Sequence, residues 1–454
     1  AVPSMILDAN SRISLSNNDS GTQNTVFGYL AGDGGGSGID AGSNYNVFIG
    51  HNVAGGGTLN DATENTGVGY SALASLTSGD NNVAVGRSAL LALTSGENNV
   101  CLGKAAGGAI DTGAENVIIG SLAGDGFDAE SGNTIVGYGA GTSGSWTAAN
   151  TVVIGHAAMD AGATQDGTVA IGKSALAALT SGEKNVAVGY NALALVTTGE
   201  KNVAVGHGAL DVMAGTAGEG NAGHFNIAIG ADAMGAVDAG THDNAVSNSN
   251  IAIGNSALLG GDFDDADKDL LGNIAIGSSA LNSTGTNAQT GTIAIGHDAL
   301  TALTTGVDNL AIGYQSLAAC TDAVGNIAIG RAVFNDMDDA GAVRNIGIGP
   351  YAGDDMGDRA NVDNIFMGYD AGGGTWGGVS SYNIGIGCFA MDAAMSGALG
   401  NIGIGRDALG ALTSGDNNIA IGTYDGDTVS AALQTNTVGS YNIAIGTGAL
   451  STAN

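Results

Sequence analysis

The 454-residue chain carries 43 Asp and Glu against 11 Lys and Arg, a formal charge of -32 that repels phosphate backbones and anionic lipid, so direct nucleic-acid binding is set aside. Gly accounts for 81 residues and Pro for 2 without a glycine at every third place, which excludes collagen, and a hydrophobic fraction of 44% opposes disorder. No apolar run reaches the roughly 18 residues of a membrane helix, so no membrane insertion is expected.

Residues 1–23 differ in pattern from the remainder of the chain. Met5-Ile6-Leu7 and the alternating Arg12-Ile13-Ser14-Leu15-Ser16 read as one or two short strands, either a cap over the end of an array or a segment that docks onto another protein. The start, Ala1-Val2-Pro3-Ser4, lacks the basic region and apolar core of a signal peptide, so no secretion leader is read in the chain.

From residue 24 to the end one unit recurs. Asn82-Val83-Ala84-Val85-Gly86 returns as Asn226-Ile227-Ala228-Ile229-Gly230, as Asn326-Ile327-Ala328-Ile329-Gly330 and in further variants, 23 in all and never less than 17 residues apart. Such a period marks a solenoid, in which each unit packs on its neighbours. The expected fold is mainly β: a parallel β-solenoid, or β-roll, of about 23 coils of 17–24 residues over 24–454.

Each coil reads in columns. The residue before the closing glycine is Ile, Val, Leu, Met or Phe throughout, as Ile253 is, and alternation joins it to the Val or Ile two places earlier as the expected core. Between them lies Ala or Gly in 16 of the 23 coils. This face reads as one against which something packs closely, and a homotrimer is expected through the run Ala187, Ala204, Ala228, Ala252, Ala275, Ala294, Ala311 and Ala328. Phe48, Ile118, Ile135 and Val153 in the same column would mark a wider axis.

The fourth residue before the glycine is Asn in 20 coils and Thr at Thr151, Thr168 and Thr292. Asn82, Asn99, Asn185, Asn202, Asn326 and Asn418 are therefore expected to form a stacked amide ladder that satisfies the corner backbone. After the strand, Ser88-Ala89-Leu90-Leu91-Ala92-Leu93-Thr94-Ser95-Gly96 has helix formers between a serine and a glycine, which predicts a helical turn or a short second strand. Shorter versions such as Leu122-Ala123-Gly124 predict a turn.

The longer coils carry surplus residues at 207–225, 231–249, 255–272 and 423–441, where loops would hold any recognition, with His224, Phe225, Phe263 and Asp264 as candidates. Asp262 to Asp269 reads as a solvated acidic loop, with Ca²⁺ as the alternative occupant; it lacks the EF-hand spacing. His51, His156, His207 and His297 all follow a closing glycine, in a column shared with tyrosines, Arg and Lys. They lie in separate coils and cannot share a metal, so they read as corner covers or as a sugar- or surface-binding stripe. Cys101, Cys320 and Cys388 have no metal-site spacing and read as small apolar fillers. No Gly-x-Ser-x-Gly, phosphate loop or HExxH occurs, so neither enzyme activity nor a cofactor is expected.

Along residues 24–450 the repeat resembles the Asn-x-[Val/Ile]-Ala-[Ile/Val]-Gly head repeats of trimeric autotransporter adhesins. Through Gly189-Tyr190-Asn191-Ala192-Leu193 and Thr197-Thr198-Gly199 it is also similar to bacteriophage tail-fibre arrays, and Ile6 to Ile13 resembles the start of marine phage structural proteins. The resemblance implies three β-rolls side by side. It also implies a virion fibre or appendage, extracellular, with residues 1–23 attaching to other virion proteins and a host glycan or receptor as further partner. The alternatives are a bacterial surface adhesin of the autotransporter head type and, third, a polysaccharide-degrading tail spike.

Overall fold

The structure, a computed structural model, describes residues 21, 23–142, 146–161, 166–212, 223–235, 247–260, 270–284, 289–322, 324–338, 341–357, 359–424, 426 and 430–451. It is a parallel β-solenoid of about 20 turns, with one three-residue strand per turn. The chain divides into two compact units, Ala1–His207 and Gly208–Asn454.

In the first unit the strands run from Thr25–Phe27 to Val203–Val205, each paired in register with the next: Val83 lies opposite Val100, Ala84 opposite Cys101 and Val85 opposite Leu102. The Val83 N–H donates to the Asn99 carbonyl at 2.7 Å, and the Gly86 N–H donates back to the Val68 carbonyl at 2.8 Å. The Asn82 carbonyl in turn accepts the Thr66 N–H and the Val85 carbonyl the Gly103 N–H, so each end of the strand bonds to the coils on both sides. The second unit repeats this from Ile227–Ile229 to Ile443–Ile445. It adds the short parallel strands Ser247–Asn248, Leu270–Leu271 and Gln289–Thr290, which lie just before the main strand and not at the expected place after the closing glycine.

The closing glycine is dictated by stacking. Gly86 has φ 140°, and a Cβ on it would stand 2.2 Å from the Gly103 carbonyl oxygen, the equivalent atom of the next coil. A side chain there would meet immovable backbone.

The element after the strand is not helical. Ser88 and Leu90 take the left-handed conformation, φ 59° and 47°, and Ser71 and Leu73 do so at the same places one coil earlier. Alternate left-handed residues prevent a run of helical hydrogen bonds, leaving only isolated turns such as Leu93 N–H to the Leu90 carbonyl at 3.4 Å, and turn the other groups along the stack. The Ser88 N–H donates to the Tyr70 carbonyl of the coil before and the Leu90 N–H to the Ala106 carbonyl of the coil after. A left-handed non-glycine residue costs about 1–2 kcal/mol, and here a ladder of inter-coil hydrogen bonds and the burial of the leucine offset it.

That geometry reverses the expected faces of the strand. Leu90 and Leu93 are driven inward with Ala89, all fully buried, and between them leave room for only a methyl group from the strand. The alanine column supplies it. Ala187, Ala204, Ala228, Ala252, Ala275, Ala294, Ala311 and Ala328 are each fully buried inside their own unit, so they are core and not an interface. The large aliphatics flank them on the outside: Val85 is 37% exposed and Ile253 36%.

Phe48 and Phe366, also in the alanine column, are fully buried, and neighbouring coils make room for them. Phe48 lies beside Gly67, and Phe366 lies between Gly347 and Gly385. A Cβ on Gly347 would come within 2.9 Å of the Phe334 ring, and one on Gly385 within 2.9 Å of Phe366. The larger side chains therefore mark local repacking of the interior, not a wider axis.

Candidate interaction surface

Four columns build the outer face of the sheet. The two aliphatic columns run along its centre, and within each strand the -Ile-Ala-Ile- or -Val-Ala-Val- order points both β-branched side chains outward because the alanine points in. Each is shielded by its equivalents above and below and is left about a third exposed, as at Val117, Ile119, Ile229, Ile404 and Ile421. Rows of aliphatic side chains on an exposed sheet face form the kind of continuous apolar patch that folded proteins reserve for contact.

One rim of this face is the column after the closing glycine. His51 stacks on Tyr70 with ring centroids 5.0 Å apart and planes 9° from parallel, and Tyr190 with His207 at 5.2 Å and 13°. Cations continue the stacks: Arg87 sits 5.8 Å from the Tyr70 ring centre, Lys173 5.5 Å from Tyr190, and Arg331 5.7 Å from Tyr314. Stacked rings cover one another's faces, so this arrangement is a ladder along the array and offers little flat surface to a sugar ring.

Beneath the opposite rim lies the asparagine ladder, as expected. The Asn82 Nδ2 donates to Asn65 Oδ1 at 3.0 Å and to the Gly96 carbonyl at 2.9 Å. Its Oδ1 accepts the Asn99 backbone N–H and the Asn99 Nδ2, each at 3.0 Å. Asn185 and Asn202 repeat the pattern, as do Asn326 and Asn418 on Asn309 and Asn401. The threonines break it: Asn133 Nδ2 and the hydroxyls of Thr168 and Thr292 are buried without a hydrogen-bond partner among the described residues.

Of the recognition candidates, Phe225 is 55% exposed, with His224 beside it at a ring separation of 6.3 Å and its backbone N–H donating to Asn248 Oδ1. Phe263, Asp264 and the acidic loop Asp262 to Asp269 lie outside the described residues, as does all of 1–23 except residues 21 and 23. Cys101 and Cys320 are buried, as fillers would be, and burial pushes the Cys101 thiol far up; Cys388 is exposed instead.

A cluster that spacing alone does not reveal lies in the second unit, where Asp336, Asp354, Asp355 and Asp370 approach one another across successive coils. Desolvation first, then the charges of Asp355, Asp370 and Asp336, raise the Asp354 carboxyl from near 3.8 to about 7. Asp392 is raised to about 6, again chiefly by desolvation. Aligning the coils by their closing glycines sets Asp336, Asp354, Asp355 and Asp392 five or six places on and would have exposed that part of the grouping, whereas Asp370 stands only two places after Gly368. Among the described residues no group of three or more His, Cys, Asp or Glu is placed to hold a metal ion, and no helix is long and apolar enough to cross a membrane.

No family model matches this chain. No curated protein is similar to it either.

Proposed function

We propose that the chain is a non-enzymatic fibre or appendage protein of a bacteriophage virion, built from 23 coils and assembled as a homotrimer through the aliphatic face of its sheet. The observation that carries the reading is the double row of outward Ile and Val, exemplified by Ile229 and Ile253 at 38% and 36% exposure. Over the strands of one unit such side chains expose on the order of 1,000 Å², comparable with the roughly 800 Å² per partner of a stable interface. A second copy is the occupant that fits, because only an array of the same period meets every coil alike. The number three follows from the resemblance to autotransporter heads.

A stack of near-identical coils suits a spacer that carries load or distance, whereas a catalytic cleft needs residues that differ from coil to coil. Recognition of a host glycan or receptor belongs to the inserted loops near His224 and Phe225, multiplied by the copies present. The test is the molar mass of the full chain by light scattering after gel filtration. A threefold mass that falls to that of one chain on joint replacement of Val85, Ile119 and Ile229 by Lys is the expected result; a monomeric unmutated protein overturns the reading.

A further inference from the structure

The aliphatic face of the first unit has rims of opposite charge. The rim after the closing glycines carries Arg87, Lys104 and Lys173, all exposed, and not one acid in its column. The rim before the strands carries Glu64, Asp80, Glu97, Glu115, Asp166 and Glu183. The two lysines there, Lys184 and Lys201, are each paired with the preceding acid, Glu183 and Glu200. In a chain with 43 acids against 11 Lys and Arg, a column free of acid and opposite an acidic one is a patterned feature.

The pattern has a register. Arg87 shares its coil with Asp80, Lys104 with Glu97 and Lys173 with Asp166, each pair seven residues apart across the strand. At about 3.3 Å per extended residue the partners lie on the order of 20 Å apart within one chain, on opposite rims, too far to meet.

We infer that copies of this chain associate side by side, parallel and without axial offset, with Arg87, Lys104 and Lys173 of one copy against Asp80, Glu97 and Asp166 of the next. The inference rests on the self-association proposed above and specifies its geometry. Rotation about an axis parallel to the array brings the basic rim of each copy to the acidic rim of its neighbour and, since a closed ring permits no axial shift, keeps equivalent coils level. A two-fold axis across the array would instead set basic rim on basic rim and acidic on acidic, which like charges oppose.

The experiment uses the full chain with Cys388→Ser, which leaves Cys101 and Cys320 buried. Lys104→Cys together with Glu97→Cys, oxidised, should lock the copies into one covalent species at the mass of the native oligomer, while Lys104→Cys alone should give none. Lys104→Glu should raise the dissociation constant roughly tenfold, and Glu97→Lys added to it should restore association. Disulfide formation by Lys104→Cys alone means an antiparallel assembly and overturns the inference while self-association stands. An oligomer that neither design links nor the charge reversal weakens overturns it equally. An unmutated chain that is monomeric overturns the self-association itself.

Discussion

Ala252 and Ile253 are adjacent in one strand, yet the first is fully buried and the second 36% exposed. Ala252→Asp would place a carboxylate among apolar side chains with no partner and no space, and should cost more than about 4 kcal/mol, whereas Ile253→Asp should cost about 1–2 kcal/mol. Urea denaturation of the two variants measures the difference, and equal costs would contradict the orientation of the strand. Sequence reading places the larger side chain inside because alternation with a big apolar residue ordinarily marks a core. That rule fails where other segments have already filled the interior, as Leu90 and Leu93 have here. The size compensation of Phe366 between Gly347 and Gly385 is the readable sign that the small column is packed. At Asp354 the relevant balance is with protons. Its folded-state pKa of about 7 lies above its ordinary value near 3.8, so the folded chain holds the proton more tightly than the unfolded one. Its contribution to stability is full below about pH 4 and is lost as pH rises from there to about 7. Asp354→Asn should therefore raise the melting temperature at pH 8 and leave it unchanged at pH 4; a pH-independent effect would remove the electrostatic account.

Among elements, the asparagine ladder is legible in the sequence because a polar residue that recurs at the same corner of 20 coils has few tasks other than bonding to its equivalents and the turn. Asn82 uses both amide hydrogens and both lone pairs of its oxygen. Asn82→Ala strands the Asn99 backbone N–H and the Gly96 carbonyl in the interior and should cost about 2–4 kcal/mol. Conversely, Thr168→Asn gives the Gly182 corner the donor that its equivalents receive and should gain up to about 1 kcal/mol. Thermal melts of both variants test the ladder, which a neutral Asn82→Ala would refute. The turn after the strand misleads sequence reading for a definable reason. Leucines at three-residue spacing between a serine and a glycine satisfy a helical pattern, but propensity weighs tenths of a kcal/mol per residue. Each coil instead gains hydrogen bonds to two neighbours, as Ser88 and Leu90 show. Left-handed leucine is so uncommon that no local rule anticipates it, and only the repetition of the coil sustains it.

At the scale of the whole molecule, stability should follow from the number of intact coils, since every strand contact within a unit joins nearest neighbours. Removing residues 82–98 deletes 17 residues, one full coil, and joins Asn81 to Asn99, the same Asn-Asn junction that Asn98 and Asn99 form in the native chain. The ladder would close from Asn65 to Asn99, the glycine column from Gly69 to Gly103, and Gly67 would meet Cys101 in the interior where Ala84 had been. Such a chain should keep its circular dichroism per residue and melt within a few degrees of the parent. Removing residues 82–90 instead takes about half a coil and sets Leu91 where an asparagine belongs. Gly103 then follows Gly69 by 25 residues, against 17 between neighbouring glycines here in the native chain, so the columns meet again only if residues 91–98, including the buried Leu93, are expelled as a loop. That variant should melt well below the full-coil deletion. If calorimetry and circular dichroism find the two deletions equally damaging, the coils are not independent modules and the nearest-neighbour description of the array is wrong.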